Sequence, residues 1–325
     1  MKAILCTAYG PPEVLRLVDI DKPTPKPHEV LVKVKASTVT FGDCEIRNLS
    51  LPPWTRFPVR LILGYGKPRH LIPGMEFAGI VEAVGTNVSG FKPGDAIFGS
   101  TGMAMGGGNA EYVCRSVKEP PGIKPENVSF EDAATIPVGG INALHFLRMA
   151  NIQPGQKVLV IGAGGSIGTW GVLLAKYYGA EVTAVDHTDK LSMLRSIGAD
   201  HVVDYAKEDF SASGRKYDVI LDLVYKSSFS KCLLSLTETG YYLMANTGPR
   251  RMLKGIWVGL TTSKKVKFAL AAETGKDLNF LANLVATNKI KPVIDRSYPL
   301  EQTIEGHRYV EQGHKKGSVI VSVSG

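Results

Sequence analysis

The chain has no run of about 18 or more apolar residues, so no segment is long enough for a membrane-spanning helix. Cysteine is scarce. Cys6, Cys44, Cys114 and Cys232 lie far apart and in no paired spacing, which fits reduced thiols better than a disulfide framework. No arginine-rich run with interleaved aromatics is present, so no nucleic-acid partner is expected. Internal repeats and low-complexity tracts are absent too. The apolar run in Met1-Lys2-Ala3-Ile4-Leu5-Cys6-Thr7 is too short for a signal-peptide core and reads as the start of a strand. These absences lead to the expectation of a soluble, cytoplasmic protein without a membrane partner.

What is present is an ordinary globular composition. Hydrophobic residues make up 44% and charged residues 21%, so every segment is expected to fold. With 325 residues the chain exceeds one ordinary core, and two domains are the natural expectation. The net charge of +8 is mild for this length and suits an anionic cofactor or a generic basic surface equally well.

Up to about residue 125 the chain is β-rich and broken by Gly and Pro. Val30-Leu31-Val32-Lys33-Val34-Lys35-Ala36 alternates like a half-buried strand, Gly79 to Gly85 is another, and Lys92-Pro93-Gly94-Asp95 is a turn feeding a third. From about Glu131 strands alternate with helical stretches. The strands are Lys157–Ile161, Glu181–Val185, His201–Asp204, Tyr217–Leu221 and Gly240–Met244, with a helix over Ile167–Tyr178. Apolar strands separated by helices predict a doubly wound α/β domain with a parallel sheet, running to about Leu270. The remainder predicts one helix (Asp277–Ala286), a strand around Pro292-Val293-Ile294 and a last strand Ser318–Val321, both returning to the first domain.

The strongest motif is Val160-Ile161-Gly162-Ala163-Gly164-Gly165-Ser166-Ile167-Gly168, which follows a strand and opens a helix. It reads as G-x-x-G-x-x-G through Gly162, Gly165 and Gly168. Glycines let the backbone approach a pyrophosphate, and the helix N-terminus offers N–H groups to it. Ser166 and Ile167 complete the loop. At the end of the second strand stands Asp186, placed to accept hydrogen bonds from the adenosine ribose and to repel a 2′-phosphate. Asp189 adds to the repulsion and Lys190 is the nearby cation. NAD(H) is therefore favoured over NADP(H). The plain alternative for Asp186 is a helix cap.

Together these residues resemble the medium-chain dehydrogenase/reductase superfamily, and within it the zinc-free, quinone oxidoreductase-like branch. The resemblance covers nearly the whole chain. It rests on Gly10-Pro11-Pro12-Glu13-Val14-Leu15, Pro27-His28-Glu29-Val30-Leu31-Val32, Pro73-Gly74-Met75-Glu76-Phe77-Ala78-Gly79, Val81-Glu82-Ala83-Val84-Gly85, Lys92-Pro93-Gly94-Asp95, Gly107-Gly108-Asn109-Ala110-Glu111-Tyr112, the glycine loop and Ser196-Ile197-Gly198-Ala199-Asp200-His201. The fold it implies is a Rossmann domain inserted in a GroES-like β-barrel catalytic domain: residues 1–126 GroES-like, 127–270 Rossmann, 271–325 returning to the first. It also implies an active site in the cleft between the domains and a homodimer or homotetramer.

The zinc-dependent branch carries Cys where this sequence aligns Thr40, and Gly-His-Glu where it has Gly74-Met75-Glu76. A hydroxyl and a thioether are poor zinc ligands. The structural zinc lobe of those enzymes needs four closely spaced cysteines, and only Cys114 lies in that stretch. No zinc is expected. The V-N-x-x-D motif of zinc-free relatives falls on Val39-Thr40-Phe41-Gly42-Asp43, which makes Thr40 and Asp43 the catalytic candidates. The bland reading is that Asp43 caps a helix over Cys44 to Leu49. Relatives place a polar residue like Asn142 near the nicotinamide ribose and a Tyr like Tyr205 against the adenine. Val224, Asn246 and Thr247 follow the fourth and fifth strands, at carboxyl ends where open sheets bind ligands. The Leu51–Ile72 insertion, rich in Pro, Arg and aromatics, is read as a covering segment, a surface loop or an oligomer contact.

The leading expectation is an NAD(P)H-dependent reductase of quinones or α,β-unsaturated carbonyls. The alternatives are an alcohol or aldehyde dehydrogenase of the same superfamily and a non-catalytic dinucleotide-binding protein.

Overall fold

The computed structural model describes residues 1–69, 71–102 and 106–323. Two compact units emerge, one of Met1–Val138, Glu273–Asn288 and Ile294–Gly325, the other of Gly139–Ala272 and Lys289–Val293.

The first unit opens with an antiparallel ribbon, β1 (Lys2–Cys6) and β2 (Leu15–Asp19), followed by β3 (Glu29–Thr38), α1 (Phe41–Asn48), α2 (Pro53–Leu63), β4 (Glu76–Val84), β5 (Ala96–Ser100), β6 (Tyr112–Ser116), β7 (Gly122–Ile123) and α3 (Phe130–Ala134). β3 is the organising strand, and its valines at 30, 32 and 34 are buried. It pairs β4 along one edge, while the other edge is shared by β6 and, over Ala36–Thr38, by the last strand of the chain. That pairing brings the C-terminus back to the first unit and fixes the end of β3, where Thr38 and Thr40 stand. The unit runs through α3 to Val138, beyond the boundary at residue 126 that the resemblance implies.

One difference from the sequence reading has a physical cause. Half of the Leu51–Ile72 stretch is helical, with Pro53 in the first turn of α2, where its missing N–H costs nothing. Pro58 is accommodated inside α2, and Gly64 closes the helix at φ 123°. The Trp54 side chain and His70, which fall in that stretch, lie outside the described residues.

The second unit holds α4 (Ile141–Met149), β8 (Lys157–Ile161), α5 (Ser166–Tyr177), β9 (Glu181–Asp186), α6 (Leu191–Ser196), β10 (His201–Asp204), β11 (Tyr217–Asp222), α7 (Phe229–Leu234), β12 (Leu236–Met244), α8 (Pro249–Thr261) and β13 (Lys265–Lys267). Its sheet is parallel throughout, in the order β10-β9-β8-β11-β12-β13. Val158, Leu159 and Val160 are fully buried, the pattern of a sheet covered on both faces. Neighbours are added on opposite sides of β8, so the switch point lies at its carboxyl end, where ligands of such sheets bind. β13, the sixth strand, escaped the sequence reading because it is short and lysine-bearing, as exposed edges often are.

The chain then returns to the first unit through α9 (Gly275–Ala286), β14 (Ile294–Pro299), α10 (Thr303–Glu311) and β15 (Ser318–Ser322). β14 starts where the expected strand ended, since it is a largely exposed strand without an apolar signature. α10 was not anticipated. Its inward residues are Thr303, Gly306, His307 and Val310, a helical spacing written in mostly polar residue types.

Candidate dinucleotide site and carboxylate cluster

The turn between β8 and α5 gives each glycine a different task. Gly162 adopts φ +81°, a left-handed conformation that favours glycine. A Cβ on Gly168 would lie 2.2 Å from the Gly162 carbonyl oxygen, so the first turn of α5 packs on the loop only without a side chain. Gly165 differs. It is the N-cap of α5 in ordinary extended backbone (φ −82°, ψ 177°), and an added Cβ would meet nothing closer than 3.7 Å. The N-cap glycine has no side chain to cap the helix, and the first-turn N–H groups of α5 carry the positive end of the helix dipole.

Asp186 ends β9 and is buried. Its Oδ2 accepts the Gly164 N–H at 2.7 Å, and its Oδ1 accepts the His187 N–H at 2.8 Å. Lys190 Nζ stands 3.1 Å from Oδ1 and is itself buried. The aspartate therefore anchors the glycine loop from the neighbouring strand, a role the sequence did not show. A carboxylate offers about four lone-pair sites, so acceptor capacity remains on Oδ2. Lys190 is folded over the loop, where a Cβ on Gly164 would collide with its Cδ at 2.4 Å.

The other candidates of this unit follow the same edge of the sheet. Pairing aligns Asp204, Asp186, Ile161, Asp222 and Met244, or their immediate neighbours, along the carboxyl ends of β10, β9, β8, β11 and β12. Tyr205 follows β10, is 62% exposed, and has its ring 5.9 Å from the His187 ring. Val224 follows β11 next to the loop, where a Cβ on Gly162 would touch it at 2.8 Å. Asn246 and Thr247 follow β12, and Thr247 Oγ1 lies 3.7 Å from Met244 Sδ. Asn142 is in the first turn of α4.

In the first unit, Thr40 and Asp43 form a capping box. Thr40 Oγ1 accepts the Asp43 N–H at 3.1 Å, and the Asp43 carboxylate accepts the Thr40 N–H at 2.8 Å. The helix they start is Phe41–Asn48, with Thr40 as the N-cap and Asp43 at the third helical position. The hydroxyl proton of Thr40 points to Asp43 Oδ2 at 2.6 Å, and Asp43 Oδ1 takes the Gly74 N–H at 2.8 Å. Beside them is a second buried carboxylate that the sequence reading left without a role. Glu76 accepts the Thr38 hydroxyl and, at 2.7 Å, the Val138 N–H. Burial pushes Glu76 up to about 7 against those two hydrogen bonds, with Asp43 adding and Lys315 opposing. Burial likewise raises Asp43, opposed by Thr40, Gly74 and Lys315. The available signal was an acid set among apolar neighbours, Met75-Glu76-Phe77-Ala78, in a strand.

Cys44 and His307 are also buried together, Sγ to Nδ1 at 3.4 Å. Burial raises the thiol far above its ordinary value and holds His307 down at about 3. Among the described residues no group of three or more His, Cys, Asp or Glu could hold a metal ion. No helix there is long and apolar enough to cross a membrane.

Comparison with known proteins agrees with this architecture. Residues 26–123 match the alcohol dehydrogenase GroES-like domain family, and residues 197–321 match a family described as zinc-binding dehydrogenase. The chain is 32% identical to a chloroplastic quinone-oxidoreductase homolog of Spinacia oleracea, over 99% of this chain and 98% of that protein. It is 30% identical to a 2-methylene-furan-3-one reductase of Solanum lycopersicum, over 99% of this chain and 79% of that protein. The solved quinone oxidoreductase of Coxiella burnetii superposes with a TM-score of 0.90 at 29% identity, covering 100% of this chain and 99% of that one. The chain belongs to the quinone oxidoreductase-like branch of the medium-chain dehydrogenase/reductase superfamily.

Proposed function

We propose that the protein reduces quinones or α,β-unsaturated carbonyls with a reduced nicotinamide dinucleotide, prefers NADH to NADPH, and works without zinc. The observation that carries the reading is Gly165. Neither its backbone conformation nor its neighbours demand glycine, and a side chain there would fill only the space in front of the uncapped N-terminus of α5. A pyrophosphate fits that space chemically, with backbone N–H donors and a positive dipole end.

When bound, the dihydronicotinamide supplies the hydride. The residues of the chain bind and orient. The loop Gly162, Gly165, Ser166, Ile167 and Gly168 would hold the pyrophosphate, and the remaining lone pair of Asp186 Oδ2 would accept from the ribose. Tyr205 would flank the adenine, while Asn142, Val224, Asn246 and Thr247 border the rest. The preference for NADH is supported by the charge at the end of β9. Lys190 is already paired with Asp186, so a 2′-phosphate would meet a neutralised cation beside Asp189.

Thr40 and Asp43 enter this reading as positioning residues. Their capping box fixes the corner after β3, and the Thr40 proton is committed to Asp43. Independence from zinc is supported by the donors themselves, since Thr40 Oγ1 is hydrogen-bonded to Asp43 and lies 3.3 Å from the Met75 thioether. The test is steady-state oxidation of NADH by 9,10-phenanthrenequinone and by an enone after EDTA treatment. Turnover with either acceptor, faster with NADH than with NADPH, is expected. Alcohol-dependent reduction of NAD⁺ that EDTA abolishes would overturn the proposal.

A further inference from the structure

α8 is fastened on one side and bare on the other. Gly255 and Val258 face inward, and a Cβ on Gly255 would lie 2.8 Å from Val266 Cγ1 in β13. Arg251 pins the first turn, its Nη2 standing 2.8 Å from Asp222 Oδ2 and 2.6 Å from the Tyr242 hydroxyl. The outward face carries Leu253, Ile256, Trp257 and Leu260, which are 67%, 50%, 66% and 80% exposed. On a helical projection these four fall in one stripe about 100° wide. Arg250 and Lys254 border the stripe on one side.

The charge of this region has one sign. Between Glu238 and Glu273 there is no acidic residue, while Arg250, Arg251, Lys254, Lys264, Lys265 and Lys267 are all cationic. Arg251 is neutralised by Asp222. Lys264 donates to the Leu236 and Thr237 carbonyls and Lys265 to the Tyr241 hydroxyl, so the basic rim of the exposed apolar stripe is Arg250 and Lys254 on α8 itself.

We infer that α8 docks this protein on an anionic membrane surface, with the stripe in the headgroup boundary and the rim against lipid phosphates. Amphipathic helices with Lys and Arg on one face and Trp and Leu on the other bind interfaces in this way. The helix does not span: its 13 residues reach about 20 Å, against a hydrocarbon core of about 30 Å. The expectation of no membrane partner rested on the missing spanning run, which says nothing about a helix lying in the surface. A second copy of the chain is a poorer occupant. Two-fold pairing of this face would set its uncompensated cations against an identical set, whereas anionic lipid neutralises them. The inference is independent of the proposed reduction, because its test reads binding and not turnover.

The experiment is co-sedimentation of the full chain with vesicles of phosphatidylcholine containing phosphatidylserine, and with phosphatidylcholine alone. Binding to the anionic vesicles is expected, weakening as salt rises. A blue shift of tryptophan emission should accompany it and disappear in Trp257→Phe. Leu253→Asp combined with Leu260→Asp should reduce binding roughly tenfold or more. Both positions point outward, so circular dichroism and thermal midpoint should stay at wild type. Arg250→Glu with Lys254→Glu should also weaken binding. Absence of vesicle binding would overturn the proposal, as would equal binding by the paired aspartate variant. So would sedimentation equilibrium showing that the same variant splits a dimer of a wild-type protein that ignores vesicles.

Discussion

Two buried carboxylates end up in opposite roles in the two units. Asp186, at the end of β9, is answered by two backbone N–H groups and the Lys190 ammonium, and it anchors a loop whose Gly165 would bring an added Cβ no closer than 3.7 Å to any neighbour. Glu76, at the start of β4, is answered by a hydroxyl and one backbone N–H, and burial keeps it close to neutral. The first is an anion held by backbone and one ammonium beside the loop proposed to take a second anion. The second lies in a buried group of four side chains in which Thr38 donates to Glu76 and Thr40 to Asp43, with backbone N–H groups of Val138, Gly74 and Thr40 satisfying the carboxylates further. In the proposed reading the loop binds a ligand, while the carboxylates of the first unit hold the fold. Substitutions in the loop should therefore change ligand affinity, and substitutions in the cluster should change stability and its dependence on pH.

The sharpest division runs within the loop. Gly168→Val should destabilise the fold by about 3 kcal/mol or more, because the new atoms start inside the Gly162 carbonyl. Gly165→Val should leave urea-unfolding stability near wild type. Equal losses in the two variants would erase the distinction on which the ligand reading stands.

In the cluster, Asp43→Ala removes the acceptor of the Thr40 N–H, the Thr40 hydroxyl and the Gly74 N–H together. A cost of about 2–4 kcal/mol is expected in urea unfolding, with nucleotide affinity unchanged in the folded protein. Weakened nucleotide binding at full stability would move Asp43 out of the positioning role.

Glu76 makes a pH prediction. Its folded value of about 7 lies above the ordinary carboxylate value, so the folded chain holds a proton there that the unfolded chain releases. The contribution to stability is full below about pH 4.5 and is lost as pH rises through about 7. Relative to wild type, Glu76→Gln should gain on the order of 2–3 kcal/mol between about pH 4.5 and about pH 8. Parallel stability curves for the two proteins would show that Glu76 is ionised in the fold. The smallest effect is expected at Asp186→Asn, which releases Lys190: the NADPH-to-NADH affinity ratio should rise roughly tenfold in a nucleotide titration. An unchanged ratio would remove Asp186 from cofactor choice.

The same contrast explains what could be read beforehand. The Rossmann strands and the loop were legible because both rest on local rules, a continuous apolar strand and glycine spacing at a strand-to-helix turn. The anchoring of the loop was less so. Nothing in the spacing of Asp186 says that it reaches back to the Gly164 N–H. In the first unit the strands of the motif segments were readable, but Glu76 receives Thr38 and Val138 from 38 and 62 residues away. α10 hides its inward face in Thr303, Gly306 and His307, and α2 hides behind three prolines at 52, 53 and 58. The exposed stripe of α8 has helical spacing in the sequence, yet only the structure shows that the stripe faces outward.

The central claim is most directly tested by titrating EDTA-treated wild type and Gly165→Val with NADH, followed by nicotinamide fluorescence. The account predicts saturable binding by wild type without metal and at least about a hundredfold weaker binding by the folded variant, a difference of roughly 2.7 kcal/mol. Equal affinity in the two proteins would contradict it, because the space in front of α5 would then not be where the dinucleotide sits.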